Sequence, residues 1–318
     1  MIDSKFKTPF TLKKVLPKCT YCGRPAVYRR RTSGEYFCSS CFLKAFTRRI
    51  RKTIAEYTML TPMSHILLFF SPDIPYTSLV MIDSIIRLER EYPTKISISL
   101  PLDYGEIDQV KKYIESNYCG LGDKINIVVG NYAKFFTTCN SFYERYMLSR
   151  IISLTLAQEI SADSILLPYS LESLAILVLA NILSARLDSV AYIEPSIRLL
   201  ENVIGYPLYD TPWDDIVFYS FVREIAKLDL ASNIYSRCNK IEKRASTIYR
   251  ELALLSRELA YNVLKNPSVF REALKIEEIV PECVGRIHRS RANECKRLRS
   301  LVENIRVEVL SPCQLGRI

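Results

Sequence analysis

Apolar residues in the middle of this chain come in short runs separated by longer stretches with helical spacing. ILLFF at 66 to 70, ISISL at 96 to 100, INIVV at 125 to 129 and SILL at 164 to 167 are too short for helices, and they predict buried strands. Between and after them the pattern predicts helices near 77–91, 106–117, 141–160 and 171–186. Strands that alternate with helices in this way imply a parallel sheet flanked by helices. Ligands of such sheets bind beyond the C-terminal ends of the strands, so the turn after the first strand, SPDIPYT at 71 to 77, is the natural place to look. From about 226 onward the reading is helical, with IEKRASTIYRELALLSRELAYNVLK the clearest amphipathic segment.

The longest apolar segment, Leu174 to Ala185, is too short to span a bilayer and reads as a buried core helix. A chain of 318 residues with 48% hydrophobic content describes a folded protein that can bury one large core and one or two small modules. The first residues, MIDSKFKTPF, lack the apolar core of a signal peptide, so a cytoplasmic location and no membrane partner are expected. The net charge of +10 is concentrated at one end, because residues 1 to 65 hold fourteen Lys or Arg and the remainder is close to neutral. A basic module on a nearly neutral body favours a polyanion such as nucleic acid.

Four of the ten cysteines lie in that basic end, in CTYCGRPAVYRRRTSGEYFCSSCF. Cys19 and Cys22 are two residues apart, and Cys38 and Cys41 repeat the gap after fifteen residues. Such paired turns aim two thiolates each at a common ion, and Gly23 permits the tight bend after the second ligand. Four thiolates fill a tetrahedral shell and leave no site for an activating water, so a structural Zn2+ is expected, with free thiols or an iron-sulfur cluster as alternatives. Arg29, Arg30 and Arg31 sit between the two cysteine pairs. On the following helix Phe46, Ile50 and Ile54 point inward, which leaves Arg48, Arg49, Arg51 and Lys52 as candidate RNA-backbone contacts.

The order of these features resembles the tRNA 2-thiolation family of PP-loop adenylating enzymes. The cysteine module, CFLKAFTRRIRKTI, a strand-turn-helix, CNSF before a long helix and ADSILLPYSLESLAILVLANIL carry the resemblance. It implies an α/β fold, with a parallel sheet of the PP-loop (adenine nucleotide alpha hydrolase-like) type, an N-terminal zinc module and a helical C-terminal region. The expected domains are 1–58 for the zinc-binding basic module, 59–225 for the α/β domain and 226–318 for the helical region. Active members read Ser-Gly-Gly-Lys-Asp-Ser-x-x-Leu in the first loop, where Ser71, Pro72, Asp73, Ile74, Pro75, Tyr76, Thr77, Ser78 and Leu79 stand here. Proline offers no N–H to a phosphate, and no glycine occurs between Gly34 and Gly105. The histidine-containing motif near the fourth strand is likewise replaced, by Pro168, Tyr169, Ser170, Glu172 and Ser173. Of the family's further cysteines, Cys139 is present, Phe142 stands where its partner would, and Cys238 matches a distant third; both cysteines read as buried small hydrophobes.

YSLESLA is most similar to the branch known as cytoplasmic tRNA 2-thiolation protein two. That likeness implies a noncatalytic pseudoenzyme subunit that binds tRNA and pairs with a catalytic thiolase subunit while uridine 34 receives sulfur, with a ubiquitin-like sulfur carrier involved indirectly. No catalytic or cofactor-binding residue is then expected. The alternatives are a divergent ATP-dependent tRNA sulfurtransferase acting alone through Cys139 or Cys238, and a zinc-containing interaction protein. Cys283, His288, Cys295 and Cys313 could form a second metal site, although their spacing is poor for one.

Overall fold

The computed structural model describes residues 17–31, 33–190, 193–199, 201–230, 238–256, 262–265, 279–280, 285–286, 292–302, 305 and 307–317. The chain divides into two compact units, Met1–Ala45 and Phe46–Ile318.

In the first unit a hairpin pairs two strands of two residues each, β1 (Tyr28–Arg29) and β2 (Tyr36–Phe37). Phe37 and Phe42 are fully buried and meet edge to face at 6.2 Å, with Tyr28 against Phe42 at 5.1 Å. That aromatic group is a small core, far less than a domain needs to stand alone. Helix α1 spans Ser39–Glu56.

The second unit is built on a seven-stranded sheet of order β11-β5-β4-β3-β6-β8-β7. Its strands are β3 (His65–Phe69), β4 (Lys95–Pro101), β5 (Ile125–Gly130), β6 (Ser164–Leu166), β7 (Ser196–Leu199), β8 (Asn202–Gly205) and β11 (Val307–Leu310). β3 pairs in parallel with both β4 and β6, and β5 and β8 extend the parallel run on either side. The two edges, β11 and β7, are antiparallel. Two further short strands, β9 (Ile279–Val280) and β10 (Gly285–Arg286), pair apart from this sheet.

The four strands read from the sequence are present, because their continuous apolar runs are buried on both faces as parallel strands require. β7, β8 and β11 were not foreseen; each is four residues long and carries too little alternation to stand out. Gly205 at the end of β8 is held to glycine by packing, since a Cβ there would come 2.8 Å from the Met59 side chain.

Helices cover the sheet: α2 (Pro75–Glu89), α3 (Ile107–Tyr118), α4 (Ala133–Thr137), α5 (Phe142–Glu159), α6 (Leu171–Leu183), α7 (Leu187–Val190), α8 (Trp213–Val222), α9 (Lys240–Leu255) and α10 (Ala292–Val302). Their starts are written locally. Pro75 opens α2 at a position where a missing N–H costs nothing, and reciprocal capping boxes start α6 (Ser170 with Ser173) and α9 (Asn239 with Glu242). Among the described residues no helix is long and apolar enough to cross a membrane.

Candidate functional site

The cysteine spacing folds as its chemistry requires. The Cys19 N–H donates to Arg24 O and the Gly23 N–H donates to Cys19 O, closing the first bend with Gly23 at φ +70°. The Thr20 N–H donates to Tyr36 O and the Tyr36 N–H to Thr20 Oγ1, which ties this bend to the hairpin; Cys38 immediately precedes α1 and Cys41 lies in its first turn. The sulfurs of Cys19, Cys22, Cys38 and Cys41 all lie within 4.8 Å of one another, and Cys22 and Cys38 are 3.6 Å apart. A tetrahedral ion with bonds of about 2.3 Å sets its sulfurs about 3.8 Å apart, so the donor set and its size fit one metal ion. Arg24 Nε donates to the Cys22 sulfur at 3.4 Å and draws that thiol down to about 6. The neighbouring thiols, Cys22 first, push Cys41 up to about 12. Crowded thiolates that resist joint ionisation are what a divalent cation relieves.

The candidate RNA contacts take different positions. In the first unit Arg29 and Arg31 are exposed, whereas Arg30 is 7% exposed, lies 4.7 Å over the Phe37 ring and is 3.8 Å from Glu35. In the second unit Arg48, Arg51 and Lys52 are exposed. Arg49 is partly covered and Nη1 donates to buried Asp215 at 2.8 Å. Ile50 and Ile54 are buried, as the helical period demands.

The turn after β3 is a packed interior element. Ser71, Asp73 and Ile74 are at most 4% exposed. The Ser71 N–H donates to Ser78 Oγ, the Ile74 N–H to Ser71 O and the Ser78 N–H to Ile74 O, so these amides are spent within the turn. Arg145 from α5 stands 3.5 Å from Asp73, and it donates to the carbonyls of Cys139 and Phe136. Tyr132 closes the adjoining strand ends, its hydroxyl donating toward Phe70 O and meeting Ser99 Oγ, each at 3.1 Å. Tyr146, Tyr169 and Tyr206 fill the neighbouring space, and the hydroxyls of Tyr146 and Tyr206 are 2.7 Å apart.

Cys139 and Cys238 are both buried, and burial pushes each thiol up to about 12, away from nucleophilic readiness. The start of α5 is occupied by Glu242, whose carboxylate accepts the N–H groups of Phe142 and Tyr143 at 3.0 Å each. Sequence reasoning missed Glu242, although Asn239 three residues before it spells a capping box. It also missed Asp83. This fully buried carboxylate receives Arg87 at 3.0 Å, Tyr219 at 2.6 Å and Tyr118 at 2.5 Å, with Arg223 at 3.6 Å.

Of the four residues considered for a second metal, Cys313 is instead bonded to Cys119 across 194 residues of sequence. The two are therefore not reduced thiols, and the α3 end is tied to the C-terminal turn. Cys283 and His288 lie outside the described residues, and of Cys295 only its place in α10 is described.

Residues 18–43 match the family model described as 2-thiouridine synthetase TtuA, N-terminal LIM domain. No curated protein sequence matches the chain. Among solved structures, U34-tRNA thiolase NcsA from Methanococcus maripaludis with its [4Fe-4S] cluster superimposes with a TM-score of 0.68. The likeness covers 89% of this chain and 96% of that one at 19% identity, and it shows the fold alone, an α/β body on a mostly parallel sheet; the four-cysteine group near the N-terminus is this chain's own. These likenesses correct the expectation of a noncatalytic pseudoenzyme. The matching domain model and the matching structure are both named for proteins that carry out thiolation. The expectation equated a changed loop with a lost reaction, yet the strand-loop-helix frame is intact, with β3 paired in parallel to β4 and β6 and followed by α2.

Proposed function

We propose that this chain acts in the thiolation of tRNA at the wobble uridine, with Cys19, Cys22, Cys38 and Cys41 holding a structural Zn2+. The observation that carries the reading is that two comparisons point to thiolation proteins, a family model over the cysteine module and a solved structure over 89% of the chain. The compact spread of the four sulfurs supports a single ion over a multi-iron cluster, which would hold its cysteines farther apart. Such an ion has no open position and supplies folding energy to the module.

In this reading Arg29 and Arg31 of the first unit, and separately Arg48, Arg51 and Lys52 of the second, meet RNA phosphates. Arg30 and Arg49 act by holding Phe37, Glu35 and Asp215 in place beside them. The similarity of Tyr169 to Ala175 to cytoplasmic tRNA 2-thiolation protein two supports a second thiolase chain as partner, with a ubiquitin-like sulfur carrier indirectly. The test is nucleoside analysis of tRNA from cells lacking the chain. Loss of 2-thiouridine, restored by the wild-type gene, is expected; an unchanged 2-thiouridine content overturns the reading.

A further inference from the structure

The C-terminal end of α2 borders a cavity of about 160 Å³, lined by Arg87 and Arg90 from the α2 end and by Asn117, Tyr118 and Gly120 from the α3 end. A water takes about 30 Å³, so the space suits one group of about five heavy atoms. Arg87 and Arg90 are three positions apart and share one face of the helix end. Arg87 is held from behind, because Nε donates to both oxygens of buried Asp83 at 3.0 Å while its Nη groups make no hydrogen bond among the described residues. Arg90 is exposed and has no side-chain hydrogen bond or ion pair among the described residues. Asp83 cannot neutralise both arginines, since it is fully buried and is also taken by Tyr118, Tyr219 and, at 3.6 Å, Arg223. Of the acids nearby in sequence, Glu89 is buried and accepts Thr94 Oγ1 at 2.9 Å, and exposed Glu91 is not part of the wall. The carbonyls that end α2 would repel an anion. Lys124 Nζ covers them, donating to Glu89 O at 2.6 Å, to Arg90 O at 2.7 Å and to Tyr92 O. The α3 side is braced, because Cys119, between Tyr118 and Gly120, is bonded to Cys313.

We infer that this cavity is an anion site for a single phosphate group, gripped by the Nη groups of Arg87 and the guanidinium of Arg90. Arginine forks match the geometry of phosphate oxygens, and a fork already fixed by Asp83 loses little freedom on meeting one. The space admits the phosphate but not a nucleoside behind it. Arg90, Asn117 and Gly120 are exposed, so the phosphate can be free or can belong to a larger molecule that stays outside, such as the backbone of tRNA. The site is separate from the turn after β3, because the 15 residues of α2 carry the chain about 22 Å away from it. The inference stands without the thiolation reading, which enters only in the choice of tRNA as one probe.

Inorganic phosphate is titrated into the full chain by calorimetry, with chloride as the control, and tRNA binding is measured in parallel against salt concentration. Arg90→Ala is the variant of choice, because Arg90 holds no other side chain in place, and its far-UV circular dichroism should match the wild type. Phosphate binding at this site is expected to weaken about tenfold in Arg90→Ala, and Arg90→Lys, which keeps the charge without the fork, recovers part of it. If tRNA supplies the phosphate, Arg90→Ala also lowers the slope of log tRNA affinity against log salt by about one. Weakened phosphate binding with an unchanged tRNA slope supports the site and assigns it to free phosphate or a small phosphorylated molecule. Identical phosphate titrations for the wild type, Arg90→Ala and Arg90→Glu, or phosphate bound no tighter than chloride, overturn the inference and leave the thiolation reading standing. Phosphate binding that depends on Arg90, with 2-thiouridine unchanged in cells lacking the chain, supports the site and sinks the thiolation reading.

Discussion

The four-cysteine bends and the turn after β3 are both short, tightly hydrogen-bonded segments, yet they are built by opposite means. The first draws its order from ligands close together in sequence, with two pairs of thiolates around one point and few apolar side chains behind them. The second is fixed by residues far away in sequence: Arg145 stands against Asp73 and Tyr132 reaches Phe70. Local chemistry governs one and tertiary packing the other. A metal-built element should therefore fail as a unit when a ligand goes, while a packed element should lose stability by increments.

The largest expected effect is that of Cys38→Ser. Three thiolates cannot close a tetrahedral shell, so the purified variant should carry no metal and the order of the first unit should collapse. The seven-stranded body should retain its far-UV circular dichroism. Metal retained by the variant would break the comparison at its first point.

Opening the body's long cross-link comes next. Cys119 and Cys313 close a loop of 194 residues, and Cys313→Ser should cost at most about 5 kcal/mol in denaturant unfolding. Metal content should not change. Asp83→Asn should cost about 3–5 kcal/mol, because Arg87 and Arg223 lose their buried counter-charge while Tyr118 and Tyr219 lose a strong acceptor.

The smallest effect is a pH dependence. Burial pushes the Glu172 carboxyl up to about 7 from its usual 4.5, against the N–H of Trp213, which donates to it at 2.8 Å. Between those values the folded chain binds more protons than the unfolded one, so stability falls as pH rises across the window. Glu172→Gln should remove about 1–2 kcal/mol of that fall, read as the difference between the unfolding curves of the two proteins at each pH.

The cysteine ligands were legible because metal spacing is local, and the first four strands because double burial leaves continuous apolar runs. The alternation of strand and helix likewise carried the parallel sheet. β11 was hidden in a four-residue segment that acquires its meaning only by pairing with β5. The Cys119 to Cys313 bond could not be read from spacing, since its partners are brought together by the fold. Asp83 looked like an ordinary polar position on α2 paired with Arg87 one turn on; its other donors come from α3, α8 and the residue after α8. The loop after β3 was legible as a departure from a glycine-rich turn, but a loop's composition does not establish what reaction the whole site supports. There the sequence reading went further than its residues allowed.

The first region is assembled by an ion, and metal analysis of the intact chain tests this directly. Elemental analysis with native mass spectrometry should find one zinc per chain, lost on acidification as the thiolates take up protons and absent from Cys38→Ser. Iron in cluster stoichiometry at these four cysteines, or an ordered first unit with no metal bound, would contradict it.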